Sequence, residues 1–266
     1  MRIAIFSDVH GNLSALQAVL ADIDRHSDLD QVIFAGDLCL VGPRPQATLN
    51  VLRERDLPAI VGNTDEWIRQ PPPLPDSLPE AERSARLRLR DLCLWTEGQL
   101  SAESLLWLDD LRSAFQIRIT PSSIPAEDLL IVHANPQDLL GIIFPSIERQ
   151  QELYGRIRQP DEDLIPVLGD EPTRTIAFGH LHIPGLRFWR DKQLINVSSV
   201  SLPGDGDSRA KYAILTWDAE RGWTAEFIHV EYAIADEIDA YRDQRPPGWQ
   251  ERVDDLRRHG YTPQIV

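Results

Sequence analysis

The stretch Ile3-Ala4-Ile5-Phe6-Ser7-Asp8-Val9-His10-Gly11-Asn12 decides how the rest of the chain is read. Ile3 to Phe6 is a short apolar run rich in branched residues, the mark of a buried strand. A helical pattern opens at Leu13, with Leu16, Val19, Leu20 and Ile23 on one face and Asn12 or Ser14 as its cap. Asp8 and His10 therefore stand where a strand hands over to a helix. In α/β sheets, ligands collect at the carboxyl ends of strands. A carboxylate and an imidazole two residues apart can turn toward one point there, and together they suit a divalent metal of the Mn, Fe, Zn or Ni type. Taken alone, the spacing also fits a helix-capping Asp and a solvated His.

Later strand ends repeat the pattern. Residues 31–35 form a second apolar run ending in Gly36-Asp37, and residues 58–61 a third ending in Gly62-Asn63-Thr64-Asp65. Residues 129–132 form a fourth ending in His133-Ala134-Asn135-Pro136, and residues 175–178 a fifth ending in Gly179-His180-Leu181-His182. Each run delivers Asp, Asn or His to a strand terminus, usually beside a Gly that lets the backbone turn sharply.

The ordered set Asp8-x-His10, Gly36-Asp37, Gly62-Asn63, His133 and Gly179-His180-x-His182 resembles the calcineurin-like metallophosphoesterase superfamily, in particular its small bacterial phosphodiesterase-like branch. Gly36-Asp37-Leu38 with Gly42-Pro43, and Asn196-Val197-Ser198-Ser199-Val200 before Leu202-Pro203, fit that branch. The motifs span residues 8 to 200. The resemblance implies a four-layer αββα sandwich of two mixed sheets flanked by helices, with a dinuclear metal site at one edge. It implies that Asp37 bridges two divalent ions (Mn, Fe, Zn, Ni or Mg). One ion would take Asp8, His10 and His182, the other Asn63, His133 and His180. Asp37, Asn63 and His133 would carry the catalysis.

Such a pair suits phosphate esters, whose negative oxygens resist attack. Two metals about 3.5–4 Å apart neutralise that charge and turn a bound water into hydroxide. Each ligating His should have its second nitrogen held by an outer-shell acceptor. One position departs from the family: where many members have a His after Gly-Asn, thought to protonate the leaving group, this chain has Thr64, followed by Asp65, an acid that could reach the site through water. The expected activity is a phosphoesterase, a phosphodiesterase before a phosphomonoesterase or protein phosphatase, acting on a small phosphorylated or nucleotide-like substrate. The missing His also admits a metal-binding scaffold or regulatory relative without turnover.

Composition bounds the alternatives. The chain has 266 residues, 42% hydrophobic and 26% charged, as in ordinary globular proteins. Forty-two acidic against 27 basic residues leave a net charge of −15, which argues against a nuclease, because binding a nucleic-acid polymer needs clustered Lys and Arg. The one dense basic run, Arg83, Arg86, Arg88 and Arg90, reads as a solvated helix face before a phosphate-facing one. Two cysteines, Cys39 and Cys93, cannot build a disulfide framework, and Cys39 reads as a small buried residue rather than a ligand. No apolar run spans a bilayer. With the first strand starting beside Met1, the expectation is a cytoplasmic chain without a leader.

A single domain over residues 1–266 is expected, interrupted by an insert at 66–112. The insert opens with Gln70-Pro71-Pro72-Pro73-Leu74-Pro75, which cannot be a helix interior. Helices are expected at 80–95 and 102–111, with Trp67, Trp95 and Trp107 packing them down or roofing the site. A helix is expected between 146 and 158. Hairpins are expected around Asp191-Lys192 and around 218–222, and two helices at 233–242 and 247–259. His26, His229 and His259 read as structural or solvent-facing.

Overall fold

The computed structural model describes residues 1–258. Two sheets pack face to face. The first has the order β2-β1-β8-β9, from β1 (Arg2–Phe6), β2 (Gln31–Phe34), β8 (Ala210–Asp218) and β9 (Gly222–Val230). The second has the order β3-β4-β5-β7-β6, from β3 (Gln116–Ile119), β4 (Leu129–Val132), β5 (Thr175–Phe178), β6 (Gly185–Trp189) and β7 (Lys192–Asn196). β1 runs parallel to β2, and β4, β5 and β7 run parallel to one another, while the pairs β1–β8, β3–β4, β6–β7 and β8–β9 are antiparallel.

The period-2 alternation of each strand assigns its two faces. Ile3 and Ile5 of β1 join Ile33, Leu129, Ile131, Ala177 and Ile195 in the core between the sheets. Ala4 and Phe6 face the other way, onto α1 (Leu13–Ile23) and α2 (Pro45–Arg55) through Leu16, Val19, Leu20, Leu49 and Leu52. On the second sheet Leu130, Val132, Ile176 and Phe178 face outward, under Leu164 and under Leu168 of α7 (Ile165–Leu168). The result is the expected layering of helices, sheet, sheet and helices.

Several boundaries differ from the sequence reading. Residues 58–61 form no strand; Ala59 makes a single bridge to Phe34. Pro58 has no N–H for a ladder, and α3 (Asn63–Arg69) begins directly after Gly62. Asn63 thus sits at a helix start, not a strand end. The expected helix at 146–158 is shorter, α6 (Ile147–Tyr154), because Gly155 ends it with φ 65°. In the insert, α4 (Glu80–Gln99) runs past Trp95, and α5 (Ala102–Leu111) is capped by Ser101. Trp67 and Trp107 pack against the helix-side core. Arg86 and Arg90 donate to the carbonyls of Pro73 and Pro72, so these arginines tie the proline segment to α4. The described residues close with α8 (Ile234–Gln244) and α9 (Trp249–Arg257).

Candidate metal centre

The carboxyl ends of β1, β2, β4 and β5 meet at one edge of the sandwich, and the loops leaving them bring Asp8, His10, Asp37, His133, His180 and His182 together. Asn63 arrives at the start of α3. Two buried groups have ligand atoms within 4.8 Å of one another: Asp8, His10 and His182, and Asp8, Asp37 and His133. The backbone bends sharply to achieve this. Asp8, His10, Asp37, His180 and His182 all adopt positive φ, between 47° and 65°, a region costly for residues other than Gly. The flanking glycines are needed for close approach: a Cβ on Gly62 would stand 2.1 Å from Asp37 Oδ1, and one on Gly179 would stand 2.2 Å from Asp8 Oδ2.

Each carboxylate is held by one oxygen and offers the other. Asp37 Oδ1 accepts from the Thr64 N–H at 2.9 Å, while Oδ2 lies 3.4 Å from His133 Nε2 and 3.7 Å from His10 Nε2. Asp37 therefore stands between the two histidine groups. Asp8 Oδ2 accepts from the His180 N–H at 3.0 Å, while Oδ1 lies 2.9 Å from His182 Nε2 and 3.7 Å from His10 Nε2.

The histidines are oriented from behind by backbone carbonyls. Nδ1 of His10, His133 and His182 faces the carbonyl oxygens of Leu40, Ala35 and Leu202, at 3.1, 2.9 and 2.9 Å. A carbonyl only accepts, so these nitrogens carry protons, and Nε2 is the nitrogen turned into the cluster, where a second proton or a metal can sit. His180 is reversed: Nε2 faces the Leu140 carbonyl at 3.2 Å, leaving Nδ1 as its donor atom. The outer-shell acceptors are therefore all main chain, which is why no side-chain motif announced them.

This donor set fits divalent metals. His10 Nε2 and His182 Nε2 face each other at 3.3 Å beside Asp8 Oδ1. Two such lone pairs repel unless a proton or a cation lies between them. His133 Nε2 lies 3.0 Å from Asn63 Oδ1 as well as near Asp37, so one proton or one cation satisfies all three atoms. The electrostatics agree. Burial opposes ionisation of Asp8 and Asp37, yet His182 and His133 respectively hold both carboxyls below their usual range. Burial also opposes charge on His10 and His133, but Asp8 and Asp37 raise both imidazoles. His180 is pushed down to about 4 by burial and by repulsion from His133.

Asp65, which the sequence offered as a water-linked acid, is instead a backbone clamp. Its carboxylate accepts from the N–H groups of Asp37, Leu38 and Gly62, at 2.8, 2.8 and 2.9 Å. Burial and the Asp37 charge push it up to about 6. Thr64 is buried, and its hydroxyl oxygen has no hydrogen-bond partner among the described residues. The 196–200 signature supports the loops: Ser199 Oγ donates to the Asp8 carbonyl, Ser198 Oγ to that of His182 and Asn196 Nδ2 to that of Gly179. Cys39 is buried, its Sγ against the Pro45 carbonyl. His229 pairs with Asp207 and His26 lies near Asp22, away from the centre; His259 lies outside the described residues. A cavity of about 420 Å³ lined by Arg174, Phe188, Arg190, Trp217, Arg221 and Trp223 lies at the opposite strand ends and contains none of the candidate ligands.

A sequence model of the calcineurin-like phosphoesterase superfamily domain matches residues 1–220. The chain belongs to that superfamily. Among its relatives, an uncharacterized protein of Methanocaldococcus jannaschii is 28% identical over 250 residues, 93% of this chain and 94% of that protein. A metallophosphoesterase from Sphaerobacter thermophilus superposes with a TM-score of 0.66 at 26% identity, over 97% of this chain and 99% of that one. A hypothetical protein from Pyrococcus horikoshii shares the fold at a TM-score of 0.72 and 18% identity, over 96% of this chain and 97% of that one. This superfamily member thus combines a phosphoesterase fold with a buried cluster of carboxylates and imidazoles suited to metals.

Proposed function

We propose that this protein is a two-metal phosphodiesterase acting on a small or nucleotide-like phosphodiester. The observation that carries the reading is the convergence of the Nε2 atoms of His10, His133 and His182 on the free oxygens of Asp8 and Asp37, with every Nδ1 already committed to a carbonyl. Asp8, His10 and His182 would hold one ion, and Asn63, His133 and His180 the other, with Asp37 between them. When bound, the pair neutralises a phosphate ester's negative oxygens and activates water as the nucleophile.

The chain's own residues set the terms of that chemistry. The Thr64 and His180 amides fix one oxygen of each carboxylate, so the other cannot rotate away. Asn63 adds an uncharged oxygen, which keeps negative charge near the phosphate low. Thr64 is a poor acid, so a good leaving group must carry its own charge, which favours diesters with acidic leaving groups. A net charge of −15 disfavours long polyanions and leaves small substrates as the partner class. No helix among the described residues is long and apolar enough to cross a membrane. Cys39 and Cys93, both buried and free, suit a cytoplasmic setting.

The test is metal analysis of the purified protein, followed by hydrolysis of a nitrophenyl phosphodiester and the matching monoester with added Mn²⁺. Two ions per chain and faster diester cleavage are expected. Faster monoester cleavage would reverse the substrate class. Tight metal binding with no turnover on either ester would favour the scaffold reading, which the Thr64 substitution motivates.

A further inference from the structure

The superfamily match ends at residue 220, yet the chain continues through β9 into the α8–α9 hairpin. This hairpin has its own small core, Tyr241, Val253 and Leu256 with Ile234, Ile238 and Trp249 around them. It packs beside α1 and touches the two loops that orient His10 and His182.

The first loop runs from Leu38 to Arg44, and its Leu40 carbonyl holds His10 Nδ1 at 3.1 Å. Its next residue, Val41, has φ 91°. A β-branched residue there is an outlier that persists only when its surroundings hold it. Two α8 side chains do so. Tyr241 Oη donates to the Val41 carbonyl at 3.4 Å. Glu237, fully buried, accepts from Arg44, whose guanidinium also donates to Ser14 Oγ at 2.8 Å. The second loop follows the Ser198-Ser199 signature, and its Leu202 carbonyl holds His182 Nδ1 at 2.9 Å. Tyr232, Asp255 and Leu256 line a narrow cleft with Ser201, Leu202 and Pro203. Asn12 Nδ2 links the two sides, donating to Ser201 Oγ at 3.3 Å and to Tyr232 Oη at 3.5 Å. His133 and His180 take their carbonyls from Ala35 and Leu140, neither of which bonds to the hairpin among the described residues.

We propose that the α8–α9 hairpin is a positioning element for one half of the metal centre. Through Glu237 and Tyr241 it holds the loop that carries the Leu40 carbonyl, and through Asp255 and Leu256, with Tyr232 just ahead of α8, it backs the loop that carries the Leu202 carbonyl; it so sets metal affinity at the Asp8–His10–His182 position while leaving the Asn63–His133–His180 position unchanged. The proposal rests on the two-metal reading above. Glu237 and Tyr241 are positioning residues; neither touches a ligand side chain. Outer-shell partners of metal-bound histidines typically change metal affinity by about 10–100-fold.

The experiment is calorimetric titration of the metal-free, full-length protein with Mn²⁺, for the unmodified chain, Glu237→Gln, Tyr241→Phe and His182→Ala. Amide hydrogen exchange is measured on the same metal-free proteins. The unmodified chain should bind two ions. Glu237→Gln and Tyr241→Phe should each weaken one event about tenfold, the event that His182→Ala abolishes, and leave the other unchanged. Exchange should rise in residues 38–44 and 200–204 but not in 133–141. Equal weakening of both events, or weakening of neither, overturns the proposal. If Glu237→Gln fails to fold, Tyr241→Phe, which removes a single oxygen, decides the matter by the same criteria. An unmodified chain that binds fewer than two ions overturns the two-metal reading instead, and is seen before any variant is compared.

Discussion

In the proposed two-metal centre both halves would depend on Asp37. Its Oδ2 faces His10 on one side and His133 on the other, and its Oδ1 holds the Thr64 amide. Asp37→Ala should remove both metals and nearly all turnover, with a further stability loss of roughly 1–2 kcal/mol from the orphaned amide. Metal content, turnover and urea unfolding measured together check this; a variant that keeps two tightly bound ions would mean that Asp37 does not join them. In the proposed reaction Thr64 would stand at the leaving-group side. General-acid help to a leaving group is typically worth ~10²–10⁴-fold, and a threonine hydroxyl supplies little. A plot of log rate against leaving-group pKa should therefore be steep, with aryl diesters cleaved readily and alkyl diesters slowly. Thr64→His should flatten it by speeding alkyl substrates most. A flat plot for the unmodified chain would mean that another residue gives the proton.

At the scale of the element, the connection from β2 to α3 is held by one side chain. Asp65 gathers three buried N–H groups, those of Asp37, Leu38 and Gly62, and so ties the loop after β2 to the start of α3. Its position, N3 of α3, suits an acidic residue near a helix N-terminus. Asp65→Ala should cost roughly 3 kcal/mol or more, since each orphaned buried donor costs ~1–3 kcal/mol. Asp65→Asn, with one accepting oxygen, should recover part of that loss. Urea denaturation at fixed pH reads the difference. An alanine variant as stable as the parent would show that water can replace the carboxylate.

For the whole molecule, the cluster couples metal, protons and stability. Asp8 and Asp37, against the cost of burial, raise His10 and His133 above the ordinary 6.5. Their stabilisation is complete below that value and fades as pH rises through the raised folded values. Asp8 and Asp37 are depressed below the ordinary 3.8, so their share is present above it and fades as pH falls. The metal-free protein should therefore melt at a lower temperature at about pH 9 than at about pH 6. A divalent ion competes with the imidazole protons, so metal should bind more tightly as pH rises. The Tm gained on adding Mn²⁺ should grow over the same interval, the stabilisation following the ratio of free ion to Kd. A metal increment that shrinks toward pH 9 would contradict the protonated cluster.

By itself the sequence determined the central strands of both sheets, because a short continuous run of branched apolar residues is a local signal for a strand buried on both faces. It also determined which residues could serve as ligands, because Asp-x-His, Gly-Asp, Gly-Asn and Gly-His-x-His each place chemistry beside a sharp turn. Residues 58–61 misled, since an apolar run reads as a strand whether or not its neighbours offer a ladder, and here Pro58 and the α3 start leave room for one bridge. Tertiary structure alone decided how the histidines are aimed. Leu40, Ala35, Leu202 and Leu140 act through main-chain carbonyls that every residue type carries, so no letter in the chain could mark them. It likewise turned Asp65 from a candidate acid into a backbone clamp, because two of its three N–H partners, Asp37 and Leu38, lie 28 and 27 residues away in the chain and meet it only once β2 and α3 are in place.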